Sequence, residues 1–328
     1  MIAPVGRLPA PGAHGGDAAA VAGALGIDPR AVLDLSQSLN PVAPDPAAVV
    51  AGHLDALHRY PDPRRATAAL AHAMGVAEER LLLTNGGAEA IALLAAELGG
   101  RVDEPEFSLH PRGGGVVWRS NPHNPSGRLA GPEERADVWD EAFYPLATGR
   151  WTRGDDHALV VGSLTKLLAC PGLRVGYVLV PSGLDPPADG AGRVRGAGRV
   201  HGAGRVDATA ILERCRARQP VWAVNGLAAS ALPELLDTVD LTDWARRVAA
   251  LRHELVAVLR RHGLEPRPSE ANWVLVEGPA LRDRLAPLGI VVRDCTSFDL
   301  PGITRIAVPD EDGLQRLEAA LKQIDDDP

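Results

Sequence analysis

Two apolar runs with a lysine between them constrain the fold of this chain more than any other feature. Residues 158–161 and 175–180 are continuous apolar segments, the pattern of strands buried on both faces of a parallel sheet. Lys166 lies between them, and an ammonium group is costly to bury unless it has a function. A desolvated lysine has a lowered pKa and forms imines readily. The stretch therefore predicts a reactive amine inside an α/β core.

Two further side chains near Lys166 are suited to a phosphate group. Ser163 offers a hydroxyl donor and Arg174 offers a guanidinium fork. An imine-forming amine beside a phosphate site is what pyridoxal 5'-phosphate requires. Taken alone, the stretch also allows a plain alternative, a surface loop with one lysine and one arginine in solvent.

Composition excludes several other classes of protein. The 328 residues carry a net charge of −8 without a basic cluster backed by aromatic residues, so nucleic acid is not an expected partner. No apolar run is long enough for a membrane span, and the N-terminus does not resemble a secretory signal. Three scattered cysteines argue against a disulfide framework or a metal site. We therefore expect a cytoplasmic enzyme without a metal.

The pattern of elements predicts an α/β protein with a small C-terminal α+β domain. Strands are expected at 81–83, 101–102, 116–118, 136–144, 158–161 and 175–180, and helices at 17–25, 46–58, 64–74 and 90–98. A broken helical stretch at 208–263 precedes strands at 272–276, 290–293 and 304–308, and helices at 280–285 and 313–324. We divide the chain into an N-terminal arm (1–45), a large domain (46–225) and a small domain (226–328). The hexapeptide repeat within 182–207 is glycine-rich and predicts a flexible insert.

The order of the motifs along the chain carries a resemblance. A Gly-Gly turn at 86–87 is followed by Asn-Pro-His-Asn-Pro-Ser-Gly at 121–127 and Asp-Glu-Ala-Phe at 140–143. Ser-Leu-Thr-Lys at 163–166 and Pro-Gly-Leu-Arg-Val-Gly-Tyr at 171–177 complete the series. Together they resemble the fold-type-I pyridoxal-phosphate enzymes of the class I and II aminotransferase superfamily. The resemblance implies a mostly parallel sheet domain that binds this cofactor.

The resemblance also implies roles for single residues. Lys166 would hold the cofactor as a Schiff base, and Asp140 would face its ring nitrogen and keep it protonated. Asn124 would donate to the phenolic oxygen, and Phe107 would stack on the ring. The remaining contacts would go to the cofactor phosphate, from Gly87, Ala88, Ser163, Arg174 and, across a homodimer interface, Tyr60 of the other subunit.

The N-terminal part contains His-Gly-Gly at 14–16, Leu-Asp-Leu-Ser at 33–36 before Asn-Pro at 40–41, and Arg-Tyr-Pro-Asp at 59–62. With these motifs it is similar to the threonine-phosphate decarboxylases of cobalamin biosynthesis. The likeness implies that Arg293 and Arg305 bind the phosphate and carboxylate of the substrate, with further substrate contacts from His14, Gly15, Ser38 and Asn124. Two guanidinium forks suit a substrate with two anionic groups. The implied reaction is decarboxylation of O-phospho-L-threonine or a close phospho-amino acid. A histidinol-phosphate-type aminotransferase and a trimmed paralogue without turnover stay open as alternatives.

One region departs from the family pattern. Only thirteen residues, 108–120, separate Phe107 from Asn121, where the family has a longer connection with a helix and an edge strand. An edge strand is the least costly strand to lose, because only one ladder of hydrogen bonds goes with it. We therefore expect a shortened sheet that lacks an edge strand. His110 also stands where a tyrosine is common, and Ser38 where an asparagine is common.

Overall fold

Helices surround a central sheet in a computed structural model that describes residues 8–12, 14–155, 157–181, 208–278 and 280–326. Its strands are β1 (Leu33–Asp34), β2 (Leu81–Thr84), β3 (Trp118–Ser120), β4 (Val138–Asp140), β5 (Leu159–Ser163), β6 (Gly176–Leu179), β7 (Trp273–Glu277), β8 (Ile290–Val291), β9 (Arg293–Asp294) and β10 (Ile303–Ala307). Its α-helices are α1 (Ala18–Leu25), α2 (Ala47–Ala51), α3 (Arg64–Met74), α4 (Gly86–Leu98), α5 (Tyr144–Thr148), α6 (Leu164–Leu167), α7 (Ala208–Arg218), α8 (Gly226–Asp237), α9 (Leu241–Arg261), α10 (Leu281–Leu285) and α11 (Glu311–Asp326).

The central sheet has the strand order β2-β6-β5-β4-β3 within the described residues. Strands β3, β4 and β5 pair in parallel, whereas β6 is antiparallel to both β5 and β2. Four of these five strands therefore run in one direction, which confirms the predicted mostly parallel α/β sheet. Their carboxyl ends share one edge, the position at which α/β sheets bind ligands.

Alternate residues of the central strands enter two separate apolar layers. Leu81, Leu83, Tyr177 and Leu179 face a cluster that includes α8 and α9, while Leu82 and Val178 face a second cluster with α4 and α7. Both faces of the sheet are thus covered, which explains why these strands read as unbroken apolar runs. Tight packing on two sides gives the residues at the strand ends a rigid support.

Two small sheets connect the N-terminal segment to the C-terminal part. Strand β1 pairs in parallel with β8, and β10 is antiparallel to β7 and β9. Backbone hydrogen bonds join Leu35 to Val291 and to Ala307. Residues 36–40 follow β1 and contact α6. There the backbone N–H of Asn40 donates to the carbonyl oxygen of Lys166 at 3.0 Å. The N-terminal segment is therefore part of the structure around Lys166.

Several predicted elements differ from those in the structure. Helix α4 begins at Gly86, four residues before the predicted start, and the predicted helix at 46–58 divides into α2 and a 3-10 helix, Leu54–His58. The predicted strand at 101–102 is wrong, since Arg101 makes only a single bridge, to Val117. The insert at 182–207 lies outside the described residues, and the division into an arm and two domains stays a prediction.

Candidate active site

Ligand sites in proteins have volumes of about 300–1,000 Å³, and a cavity of about 310 Å³ lies at the carboxyl edge of the central sheet. Eleven of the fourteen residues that the sequence predicted for the site line it: His14, Gly87, Ala88, Phe107, Asn124, Asp140, Ser163, Lys166, Arg174, Arg293 and Arg305. Their elements come from distant parts of the chain. The parallel strands bring them together because each residue lies at or just beyond a strand end, or on the segments packed against it.

Lys166 is at the centre of the charge distribution in this cavity. Helix α6 starts directly after β5 and carries the side chain, whose Nζ donates to the carbonyl oxygen of Gln37 at 3.0 Å. Burial lowers the pKa of Lys166 to about 8, and the positive charges of Arg305, Arg174 and Arg293 act in the same direction. At a pKa of about 8, roughly a tenth of the amine is neutral at pH 7, far more than for a solvated lysine, and the neutral form is the nucleophile.

The first turn of α4 and the segment before β6 form a cradle for an anion. Helix α4 follows β2 through Asn85, so that its first backbone N–H groups face the sheet edge. The guanidinium of Arg174 lies against Gly86, where a Cβ atom would be 2.4 Å from Nη2. Arg174 itself has a positive φ of 55°, a backbone conformation that is uncommon for residues other than glycine. With Ser163 beside Gly87, the cradle combines N–H, hydroxyl and guanidinium donors.

Asp140 ends β4 and is held by two hydrogen bonds. Its Oδ1 accepts from the backbone N–H of Ala142 at 3.1 Å, and its Oδ2 lies 3.0 Å from Nε2 of His110. The side chain of His110 is fully buried and packs edge-on against Phe107, with 5.9 Å between the ring centres. The carboxylate of Asp140 and the ring of Phe107 therefore reach the same cavity on a common support.

Two buried arginines form the opposite side of the cavity. Arg305 on β10 donates through Nη1 to Oδ1 of Asn124 at 2.8 Å and lies over the ring of Trp273. Because a guanidinium can only donate, Oδ1 of Asn124 faces Arg305, and its amide NH₂ group remains as a donor. Arg293 on β9 donates through Nη1 to the carbonyl oxygen of His14 at 3.2 Å. Burial lowers the pKa of both arginines, and each stays protonated at neutral pH.

Three residues predicted for the site do not line the cavity. Ser38 is buried behind it, and its carbonyl oxygen accepts from Nδ2 of Asn272 at 2.8 Å. Gln37, one position earlier, lines the cavity instead. Gly15 packs against the backbone of Ser36. Tyr60 is 76% exposed and stacks on Trp222 with 4.2 Å between the ring centres, so a role for Tyr60 in this site would require a second subunit.

Residues that the sequence did not predict also belong to the cavity: Gln37, Ile91, Leu109, Ser120, Ala142, Phe143 and Thr165. Most follow a predicted residue within a few positions, so their motifs could have indicated them. Ser120 is different, because its N–H and hydroxyl bind the buried carboxylate of Glu106, which no motif contains. The signal available in the sequence was Glu106 itself, a glutamate directly before Phe107, the aromatic residue predicted for the site.

The donor set fits pyridoxal 5'-phosphate. An amine of lowered pKa, a carboxylate, an aromatic ring and an anion cradle line one cavity, in the combination that this cofactor uses. The described part of the chain contains no group of three or more His, Cys, Asp or Glu side chains that could hold a metal ion. The fold and the site thus define a pyridoxal-phosphate-dependent enzyme.

The chain belongs to the class I and II aminotransferases, and the model of that family matches residues 106–321. A histidinol-phosphate aminotransferase from Halorubrum lacusprofundi is 27% identical, over 91% of this chain and 90% of that protein. A threonine-phosphate decarboxylase from Salmonella typhimurium is 28% identical, over 95% and 96%. The solved histidinol-phosphate aminotransferase of Sinorhizobium meliloti, in complex with pyridoxal-5'-phosphate, superposes with a TM-score of 0.73 at 16% identity, over 93% of this chain and 94% of that one.

Within the described ranges, none of the helices has both the length and the apolar character that crossing a membrane requires. The three cysteines are buried and free.

Proposed function

We propose that this enzyme acts on a small amino acid that carries a phosphate, and that it decarboxylates O-phospho-L-threonine or a close analogue. The observation that carries the proposal is the pair of buried guanidinium groups, Arg293 and Arg305, on the same cavity as Lys166. Two buried cations favour a substrate with two anionic groups, and a phospho-amino acid has a phosphate and a carboxylate. A cavity of 310 Å³ that also holds the cofactor favours a small substrate.

The residues of the chain divide into two groups in this proposal. Lys166 is the amine that would bond the cofactor, Asp140 would face the ring nitrogen, and the cradle of Gly87, Ser163 and Arg174 would hold the cofactor phosphate. When bound, the ring would supply an electron sink for the reaction. Phe107 would pack on the ring, and the amide NH₂ of Asn124 would donate to the phenolic oxygen.

The substrate contacts come from the second group. Arg293 and Arg305 bind the two anionic groups, and His14 lies close to Arg293 through its carbonyl oxygen. The edge-to-face packing of the His14 ring on Phe107, with 5.9 Å between ring centres, places this histidine at the cavity. The position of His14 beside Arg293 and Phe107 therefore supports a role of the N-terminal segment in substrate binding.

A histidinol-phosphate-type aminotransferase is the second candidate, and the similarity to proteins of that name favours it. Such an enzyme would use the same cofactor residues and the same arginines to bind the phosphate of its substrate.

A homodimer is part of the proposal. Leu54 and Leu57 lie three residues apart on a 3-10 helix and share one face, and the helix ends two residues before Tyr60. Tyr60 stacks on Trp222, which follows Val221 in the chain. All five side chains are exposed, and we call this surface the Tyr60–Trp222 patch. An exposed apolar patch with aromatic residues is typical of a protein interface. In a dimer, Tyr60 would reach the cofactor phosphate of the other subunit.

Incubation of the purified protein with O-phospho-L-threonine tests the function. We expect release of carbon dioxide without any keto acid, and loss of this release in Lys166→Ala. Keto-acid-dependent exchange of the amino group of histidinol phosphate would instead favour the aminotransferase. A colourless protein that takes up no pyridoxal phosphate would favour a paralogue without turnover.

A further inference from the structure

Three buried side chains lie in line behind the cavity. Glu106, His110 and Asp140 are joined by 3.7 Å from Oε2 of Glu106 to Nδ1 of His110, and by 3.0 Å from Nε2 of His110 to Oδ2 of Asp140. The side chains of Glu106 and His110 have no exposed surface, and that of Asp140 has 10%. The imidazole is packed between the rings of Phe107 and Trp118, which leaves it little freedom to turn.

The two contacts in this line differ in kind. An imidazole nitrogen and a carboxylate oxygen at 3.0 Å repel each other through their lone pairs unless one of them carries hydrogen, so the contact between Nε2 of His110 and Asp140 holds a proton. Nδ1 of His110 and Oε2 of Glu106, at 3.7 Å, are too far apart for a hydrogen bond but within ion-pair range, and Nδ1 has no hydrogen-bond partner among the described residues. Because both groups are buried, a lone pair of Nδ1 that faces an ionised Glu106 is unfavourable, and a proton on either group relieves the repulsion.

The groups around Glu106 decide where the second proton can be. Ser120 donates to this carboxylate through its N–H at 2.8 Å and its hydroxyl at 2.6 Å. Nε2 of His123 is 3.9 Å from Oε1 of Glu106, but its hydrogen bond goes to the carbonyl oxygen of Pro105 at 2.8 Å. Arg112 donates to the backbone carbonyl oxygen of Glu106 and not to its carboxylate. Burial raises the pKa of Glu106, although His110, Ser120 and His123 act in the opposite direction. Glu106 therefore takes up a proton more readily than a solvated glutamate does, at its contact with Nδ1 of His110.

We propose that Glu106 is a positioning residue that keeps one proton at its 3.7 Å contact with Nδ1 of His110, on one group or the other, so that Nε2–H of His110 donates to Asp140. Asp140 is then held as an acceptor on the side where the ring nitrogen of the cofactor would lie. Without Glu106, the imidazole could place its only proton on Nδ1, and the lone pair of Nε2 would then face Asp140 and weaken the 3.0 Å contact. The proposal rests on the assignment of Asp140 to the ring nitrogen in the proposed function.

The test uses ¹⁵N-histidine-labelled protein with and without pyridoxal phosphate, with the His110 signals assigned through His110→Asn. In the wild-type protein we expect hydrogen on Nε2 of His110. Glu106→Gln should retain it, because the carboxamide can donate to Nδ1, whereas Glu106→Met should give a mixture of tautomers. The affinity for pyridoxal phosphate should fall about tenfold in Glu106→Met, the effect of one weakened hydrogen bond to a charged group.

Glu104→Gln is the matched control, since Glu104 is two residues away, contacts Arg119 and His123, and does not touch His110. It should leave the tautomer of His110 unchanged. A wild-type His110 without hydrogen on Nε2 would overturn the proposal, as would a Glu106→Met protein with the wild-type tautomer and affinity. If Glu106→Met does not fold, the tautomer of His110 in the wild-type protein alone decides whether the proposal holds. A protein that shows the expected tautomers but binds no pyridoxal phosphate would contradict the proposed function and not the role of Glu106 in setting the tautomer of His110.

Discussion

The ammonium group of Lys166 loses its hydration in the folded protein and lies near three guanidinium groups. Burial is the first cause of its lowered pKa, and Arg305 is the second. Both causes depend on the tertiary structure, because Arg305 is 139 positions away in the chain, in the middle of β10 in a different sheet. The sequence identified the reactive amine, and the folded site determines the pH at which this amine can react.

Attachment of pyridoxal phosphate to Lys166 should therefore depend on pH. We expect the rate of attachment to the cofactor-free protein to rise with pH, with a midpoint at about 8. Arg305→Gln should move the midpoint to higher pH, since it removes the largest electrostatic cause of the lowered pKa. The absorbance of the bound cofactor gives the rate. Arg260→Gln, a change at an exposed ion pair, is the control, and a wild-type midpoint near 10.5 would contradict the expectation.

Glu141 provides a second residue-scale prediction. Burial raises the pKa of this carboxyl from 4.5 to about 7, so the folded protein binds a proton more tightly than the unfolded chain does. Stability from this group is present below pH 4.5 and is lost as the pH rises through about 7. At about 1.4 kcal/mol per pH unit, the loss is at most about 3.5 kcal/mol.

Urea unfolding at pH 5 and pH 8 measures this effect. Glu141→Gln should lack the loss, so its free energy of unfolding relative to wild type should increase between the two pH values. Glu133→Gln, which changes a fully solvated side chain, should follow the wild type at both. If the free energies of unfolding of Glu141→Gln and the wild type change by the same amount between pH 5 and pH 8, the assigned role of this carboxyl is ruled out.

At the scale of elements, the site depends on how closely β6 approaches the start of α4. A Cβ atom on Gly176 would lie 2.5 Å from the backbone C of Gly86 and from the N of Gly87. Gly176 also pairs with Thr84 and Ser163 in the sheet. A side chain at this position would push the first turn of α4 away from β6, and the anion cradle with it.

Gly176→Ala should thus lower both stability and cofactor affinity. We expect a loss of about 1–3 kcal/mol in the free energy of unfolding, the usual cost of overpacking, and weaker binding of pyridoxal phosphate. Thermal unfolding and cofactor titration measure the two effects. Gly172→Ala serves as the control, because a Cβ atom there meets no atom within 4 Å. Equal affinities in the two variants would show that the cradle does not depend on this close approach.

Element prediction from the sequence worked where local pattern and packing agree. Helix α3 has the predicted bounds, since its apolar residues recur at helical spacing and its buried face is the apolar one. The sequence prediction placed the start of α4 too late. Its first turn contains two glycines, and because glycine is a poor helix former, the local pattern did not indicate a helix there. Residues 101–102 do not form the predicted strand. Arg101 makes a single bridge to Val117, and Gly99 makes a single bridge to Gly115 in the glycine-rich stretch of the shortened region.

At the scale of the whole molecule, the Tyr60–Trp222 patch predicts a dimer. We expect sedimentation to give twice the 34.5 kDa of one chain, and Leu57→Glu to shift the protein towards the monomer by placing a charge in the apolar interface. Ile27→Glu is the control, since Ile27 is an exposed apolar residue outside the patch. If the wild-type protein sediments as a monomer, the proposed contribution of Tyr60 to a neighbouring site is excluded.

The sequence by itself determined the α/β class, the lysine and the motif residues at the strand ends. These follow from apolar runs and short motifs, which are local properties of the chain. Only the tertiary structure decided that Gln37 and not Ser38 faces the cavity, that Asn124 binds Arg305, and that Glu106 and His110 stand behind Asp140. These contacts join residues far apart in the sequence, and their energies depend on burial and on the direction of each side chain, which no local pattern contains.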